Sequence, residues 1–249
     1  MVGARVSEST PFGGSSLSSL TEKSVRSGFV RKVYGILSGQ LFVTLVVGGM
    51  VMQFADNLLQ KNPGLGMLLM MGSLVATIAL QCVFMCCPDT MRNSPKNYAL
   101  LGLFTLAESV LVGFICSMYT KESLLIVLGI TIVIVIGLSL FATFTTYDFT
   151  GLGPYLFVAA MSLLGFGFVI SISSMCGLLG SAFSTLRLIY AAGGAMLFSM
   201  YLVYDTQMII GGDHKFQFSI DDYCMAAICL YMDIIQLFLY LLQLFGDRR

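Results

Sequence analysis

The sequence predicts an all-α polytopic membrane protein, a bundle of seven transmembrane helices, and three observations carry that prediction. The chain has 249 residues, of which 57% are hydrophobic and only 10% charged. A soluble domain of this size carries about 25% charged residues, so this chain has too few to cover a globular surface in water. Its mean hydropathy is +0.89. The apolar residues also fall into long blocks separated by short polar breaks, and a bilayer core about 30 Å thick takes about 20 helical residues.

Seven blocks meet that length. They run Phe29–Ala55, Leu65–Cys87, Tyr98–Tyr119, Leu124–Phe144, Leu152–Ser173, Leu188–Ile210 and Tyr223–Phe245. In lipid only a helix or a closed barrel satisfies its own backbone, and blocks of this length read as helices. The breaks hold helix-stopping residues: Asn62-Pro63-Gly64, Pro88 to Pro95, Gly151 to Pro154, and Gly211-Gly212. None is long enough for a second domain. The chain therefore reads as a disordered cytosolic tail over residues 1–28 and one transmembrane domain over residues 29–249. The tail is rich in Ser and Gly and lacks the apolar stretch of a cleaved signal peptide.

Orientation follows the Lys/Arg balance near the helix ends. The side of the N-terminal tail collects Arg5, Lys23, Arg26, Arg31, Lys32, Arg92, Lys96 and Lys215. The opposite side has Lys61, Lys121, Arg187, Arg248 and Arg249. The bias places the N-terminus in the cytosol. Arg248 and Arg249 dissent, and would reach the cytosol only if one segment were re-entrant. The glycines Gly48-Gly49, Gly165, Gly167 and Gly193-Gly194 are expected to let helices approach closely.

Composition also excludes function classes. The formal net charge is zero, so nothing favours a nucleic-acid partner. There is a single His, and Cys82, Cys116, Cys224 and Cys229 lie within apolar blocks as small hydrophobes. No Ser/His, Cys/His or metal-ligand set converges, so the chain reads as a non-enzyme. No organic cofactor is called for.

Three acidic residues lie deep in the apolar blocks: Glu108, Asp205 and Asp233. An ionisable group at bilayer depth costs at least about 2.5–3.5 kcal/mol unless it gains a partner or a watery cavity. Asp205 lies about 9 Å from the sixth loop and Asp233 about 15 Å from it, at 1.5 Å per residue. Helices joined by a short connection are antiparallel neighbours, so the two carboxylates are expected to meet in one layer. Such a pair takes up and releases a proton as a coupled unit. Fully ionised, it attracts a hard cation such as Ca²⁺. Gln207, Gln236 and Tyr204 supply polar groups nearby, and Glu108 either lines the same pathway or caps a local network. Arg92, at the cytosolic end of the second block, is either a plain positive flank or an ion-pair partner that swings to an aspartate and closes the pore.

Four motifs give the sequence a family likeness: Phe29-Val-Arg-Lys-Val-Tyr34, Tyr147-Asp-Phe-Thr-Gly-Leu-Gly-Pro154, Tyr204-Asp-Thr-Gln207 and Leu230-Tyr-Met-Asp-Ile-Ile-Gln-Leu-Phe238. With them the chain resembles the Bax-inhibitor-1 family (transmembrane Bax inhibitor motif proteins), lifeguard branch, over about residues 29 to 246. The resemblance implies a seven-helix bundle with the last helix central. It implies a pH-regulated Ca²⁺-permeable leak of intracellular membranes, ER or Golgi with the plasma membrane as a further site, and a cytoprotective, anti-apoptotic role. It places a di-aspartyl sensor on Asp205 and Asp233 and its basic partner on Arg92. The implied partners are the lipid bilayer, Ca²⁺ and cell-death regulatory membrane proteins. A Ca²⁺/H⁺ exchanger and a non-conducting scaffold stay open as alternatives.

Overall fold

A computed structural model describes residues 14–177, 180, 182–212 and 214–249. The described chain folds into seven long helices: α1 (Gly14–Lys61), α2 (Pro63–Cys86), α3 (Lys96–Ser117), α4 (Lys121–Phe144), α5 (Gly153–Met175), α6 (Ala182–Ile210) and α7 (Tyr223–Phe245). All seven are long and apolar enough to cross a membrane. No strand occurs among the described residues. Short 3₁₀ turns at Pro88–Met91 and Thr150–Leu152 precede α3 and α5. Consecutive helices alternate in direction, so seven crossings bring Arg248 and Arg249 to the end opposite the start of α1. Among the described residues no helix folds back half-way. The start of α1 and the α6–α7 loop lie at one end of the bundle, the near end, and the C-terminus lies at the other, the far end.

The helices outrun the apolar blocks where polar residues continue the turn. Lys96 and Lys121 open α3 and α4, two or three residues before the apolar stretch begins. At α4 the cap is visible: Thr120 Oγ1 accepts from the Ser123 N–H, which satisfies one of the orphan donors of a first turn. The largest extension is in α1, which has 48 residues, about 72 Å at 1.5 Å per residue. Of the stretch read as a tail, residues 1–13 lie outside the described residues, and from Gly14 onward the chain is helical. Extending an existing helix adds one hydrogen bond per residue without a new nucleus.

The core sits around α7. In its most apolar window 67% of residues are buried, against 11% in α4 and in α5. A helix that is apolar all round and buried all round belongs at the centre of a bundle. α1, α3, α4 and α6 pack on it, α2 leans on α1 and α3, and α5 leans on α6. The outer helices expose Leu, Ile, Val, Phe and Met freely, for instance Phe42, Met85, Val133 and Phe144. That is the surface a lipid solvent requires.

Glycine packing is more selective than the sequence suggests. A Cβ at Gly48 would meet the Ser109 carbonyl oxygen at 3.3 Å, and one at Gly113 would meet Val51 Cβ at 2.7 Å and the Gly48 carbonyl oxygen at 2.8 Å. α1 and α3 therefore touch backbone to backbone there. Gly167 lies against the Tyr190 ring and Gly194 against the Tyr240 ring, whereas Gly49 and Gly165 face open space.

The near end is tied by a side chain that the sequence reading counted only as a positive charge. Arg26 donates from Nε to the Ile210 carbonyl at 3.1 Å, from Nη1 to the Phe218 carbonyl at 2.7 Å and from Nη2 to the Met208 carbonyl at 2.6 Å. Two of those carbonyls belong to the last turn of α6, where partners are lacking and a cation is favoured by the helix dipole.

Candidate functional site

The structure brings Asp205 of α6 and Asp233 of α7 together. Their carboxylates lie within hydrogen-bonding reach of each other. The residues are 7% and 4% exposed, and Asp233 Oδ2 has no hydrogen-bond partner. The placement follows from chain geometry. α6 ends five residues after Asp205 and α7 begins ten residues before Asp233, so antiparallel packing across their shared loop matches the two depths. Tyr201 and Cys229 each lie one turn before an aspartate on its own helix, on the same face. Among the described residues no basic side chain pairs with either carboxylate.

The other candidates are distributed around the bundle rather than gathered on the dyad. Gln207 is fully buried, but both ends of its amide are engaged by backbone. Its Oε1 accepts from the Phe149 N–H at 2.7 Å and its Nε2 donates to the Tyr147 carbonyl at 2.9 Å. Two residues along a helix turn the side chain to the opposite face, so Gln207 clasps the α4–α5 connection while Asp205 faces α7. Gln236 lines a cavity of about 850 Å³ with Gln81, Arg187, Tyr240, Gln243 and Arg248. No carboxylate lines that cavity. It reaches Met232, the neighbour of Asp233, but neither aspartate lines it. Glu108 is 1% exposed and lies against Thr77 of α2 and near Tyr231 of α7, away from the dyad.

Arg92 binds a different aspartate. Its Nε donates to Asp222 Oδ1 at 2.7 Å and its Nη2 to Asp222 Oδ2 at 3.1 Å. This two-point geometry is the strong form of a guanidinium–carboxylate pair, and it holds the already basic guanidinium still further from losing its proton. Asp222 stands at the N-cap position of α7 without a side-chain capping bond, so the pair joins the α2–α3 connection to the central helix at the near end. Sequence reasoning missed Asp222. The local signal was there, since an acidic pair, Asp221-Asp222, immediately precedes an apolar block.

The motif Tyr147 to Pro154 makes a loop-locking device. Asp148 Oδ1 accepts from the Thr150 N–H at 2.9 Å and the Thr150 hydroxyl at 2.7 Å. Its Oδ2 accepts from the Lys215 N–H at 2.9 Å, and His214 Nδ1 stands 3.4 Å from Oδ1. Thr150 Oγ1 in turn accepts from the Phe216 N–H at 3.2 Å. These donors, led by the Lys215 N–H and the Thr150 hydroxyl, hold the Asp148 carboxyl down at about 2. The α4–α5 and α6–α7 loops are therefore bonded to each other over the near end of the helix pair that carries the dyad.

The bundle thus has six apolar helices beside a buried seventh, with paired aspartates on the last two. A family model described as "Inhibitor of apoptosis-promoting Bax1" matches residues 26–249. The chain belongs to the Bax-inhibitor family. Family membership and the seven apolar helices together make it an integral membrane protein of the lipid bilayer. Among curated members it is 34% identical to Protein lifeguard 3 of Homo sapiens over 230 residues, covering 91% of this chain and 71% of that one. It is 35% identical to Protein LIFEGUARD 3 of Arabidopsis thaliana over 224 residues, covering 88% and 84%. The residues matched by the family model include both aspartates and both near-end loops.

Proposed function

We propose that this chain is a pH-regulated Ca²⁺-permeable leak of intracellular membranes, ER or Golgi, with a cytoprotective role in restraining cell death. The observation that carries the reading is the Asp205–Asp233 contact: two carboxylates buried together with no basic partner among the described residues. Two carboxylates this close share a proton at rest. When the proton leaves, the pair becomes the strongest cation-attracting point in the bundle. Ca²⁺ takes six to eight oxygen ligands, and two carboxylates supply at most four. Water must fill the rest, which suits brief occupancy during passage better than storage.

The cavity beside Met232, where Gln81, Gln236 and Gln243 stand among apolar side chains, supports a route toward the far end that would have to open to the dyad. Its two arginines, Arg187 and Arg248, and its lack of a carboxylate oppose a divalent cation. They favour a slow leak over a fast channel. Neither aspartate lines this cavity, which supports reading the arrangement as the closed state of the leak. The cytoprotective part rests on the family description and on the relatives named lifeguard.

The test is Ca²⁺ flux of the purified protein in liposomes between pH 6 and 8, with Asp205→Asn and Asp233→Asn beside it. Each variant is expected to lower flux by roughly tenfold, about 1.4 kcal/mol, and to flatten its pH dependence. Unchanged flux and pH response in both variants sinks the proposal. Obligatory proton counterflow in the same liposomes would make it an exchanger instead.

A further inference from the structure

The other helices cover α7 unevenly. Met232, Gln236, Tyr240 and Gln243 recur at helical spacing along one side of it. All four are only half-buried, while their neighbours Asp233, Leu237 and Leu242 are buried. This stripe is the floor of the 850 Å³ cavity, and α5 and α6 supply most of its walls. Leu164 and Phe168 of α5 line it and are each 66% exposed, so the cavity is a groove that opens sideways toward lipid. It runs from Ala160 to Ser174 along α5 and from Phe183 to Phe198 along α6, about 20 Å at 1.5 Å per residue.

The two ends of the groove differ. The deeper part holds Leu163, Leu164, Leu197, Phe198 and Met232, with Gln81 and Gln236 among them. Toward the far end the side chains are donors. Arg187 and Tyr190 share one face of α6, and Tyr240 and Gln243 share one face of α7. The hydroxyls of Tyr190 and Tyr240 lie 3.0 Å apart and tie the two faces together. Arg248 lines the same cavity from beyond the end of α7. Counted from the contact of the two aspartates, Arg187 lies eighteen residues before Asp205 and Arg248 fifteen after Asp233, so the guanidiniums stand at similar depth. Arg187 Nε is buried with no hydrogen-bond partner, and Arg248 Nε donates to the Tyr119 hydroxyl at 3.3 Å. No carboxylate lines the cavity, and among the described residues neither arginine forms an ion pair. A buried charge without a counter-ion is costly.

We propose that this groove seats one anionic glycerophospholipid of the surrounding bilayer, with its phosphate between Arg187 and Arg248 and one acyl chain along α5, α6 and α7. A phosphate takes two-point bonds from a guanidinium fork, and the unpaired Arg187 Nε is one tine of that fork. Gln243, whose amide oxygen is also buried without a partner, adds a donor when its amide turns over. In the tyrosine pair one hydroxyl proton is spent on the pair and the other is left to donate. A zwitterionic headgroup would bring its own cation up to two arginines, so the charge of the site selects an anion. The volume falls within the range of small-molecule sites, about 300–1,000 Å³. It takes a phosphate and one chain, and the second chain stays in the bilayer through the side opening. A soluble phosphate would leave the apolar part of the groove empty. The site does not rest on the leak reading; a seated lipid and an open route through this cavity exclude each other.

The experiment releases the purified full chain from micelles holding equal amounts of phosphatidic acid and phosphatidylcholine, and weighs the bound lipid by native mass spectrometry. One phosphatidic acid per chain, kept in preference to phosphatidylcholine, is expected. Arg187→Gln and Arg248→Gln should each lower the retained fraction about tenfold, the loss expected of one charge-assisted contact. Ser171→Phe fills the chain groove and leaves both arginines in place. It should lower retention as well, and it keeps the test decisive if an arginine variant does not fold. Lys121→Gln, at the same end but outside the cavity, should leave retention unchanged. Equal retention of the two lipids overturns the proposal and leaves a cavity filled by water or by ordinary lipid. So does a preference that survives both arginine variants or Ser171→Phe, or one that is lost in Lys121→Gln. Displacement of the lipid by inorganic phosphate alone would assign the cavity to a soluble anion and overturns the proposal too.

Discussion

Arg92 and Asp222 form a two-point ion pair at the near end, 2.7 Å and 3.1 Å between heavy atoms, so the basic residue expected to serve the buried aspartates is held by a third one. The side chains are 49% and 21% exposed, and an exposed pair adds little to stability. Its consequence is positional, since it fastens the α2–α3 connection to the start of the helix that carries Asp233. If this latch holds the bundle closed, either partner's loss opens it. Arg92→Gln and Asp222→Asn should each raise Ca²⁺ flux in liposomes by a few-fold. The double variant should match either single one within about 0.5 kcal/mol, whereas unlinked residues would add. Additive effects in that cycle rule the latch out.

Arg26 should matter more for stability than its place near the chain's start suggests. Its three bonds to the Met208, Ile210 and Phe218 carbonyls are charge-assisted, and bonds to charged groups are worth about 1.5–3 kcal/mol each when lost. Arg26→Ala is expected to lower the Tm in detergent by several degrees. Arg26→Lys should recover only part, since an ammonium lacks the planar fork. Equal Tm for the alanine variant and the unmodified chain would contradict this.

The two classes of glycine should separate cleanly. Gly113→Ala puts a methyl where Val51 and the Gly48 carbonyl already stand, and overpacking of this kind costs about 1–3 kcal/mol. Gly49→Ala meets nothing within 4 Å and replaces a poor helix former by the best one, a gain of up to about 1 kcal/mol. Denaturant titration in detergent orders them: Gly113→Ala below the unmodified chain, Gly49→Ala level with it or above.

Asp148 gives the near-end loops a calculable pH response. Its carboxyl is held at about 2 in the fold, below the ordinary aspartate value of about 3.9. A depressed carboxylate contributes stability that is present above the unfolded value and lost as pH falls through the folded one. The contribution of this group is therefore complete at pH 6 and fades between about pH 4 and 2. Asp148→Asn should lower the Tm at pH 6, and the difference from the unmodified chain should shrink by pH 3. A difference constant from pH 6 to 3 would mean that the carboxylate's charge is not what locks the loops.

Hydropathy made the seven helices legible because lipid imposes a length on every crossing. Tyr223–Phe245 is reproduced residue for residue, and Phe144 and Ile210 end their helices where the apolar blocks end. The starts at Lys96, Lys121 and Ala182 lie outside those blocks because a helix continues into the headgroup layer where apolarity stops. The meeting of Asp205 and Asp233 was legible for a related reason: a short loop and a count of residues fix relative depth. The partners of Arg92, Arg26 and Gln207 were not. Each reaches across more than 50 positions in sequence, and nothing local marks the other end. Azimuth was equally hidden, so Gln207 and Glu108 could be placed at the right depth but not on the right side of their helices.

The burial of α7 sets an order on biogenesis. A chain is delivered to the membrane from its N-terminus, so the element that the other helices surround is the last to arrive. Until then α1, α3, α4 and α6 lack their common partner, Tyr231 has not yet reached Thr44, and Asp205 waits without Asp233. A ribosome stalled between Ile210 and Tyr223 leaves six helices, four of them without the partner they pack on. A copy that ends there holds Asp205 in the bilayer without the helix that covers it, and only the arrival of α7 buries that carboxylate.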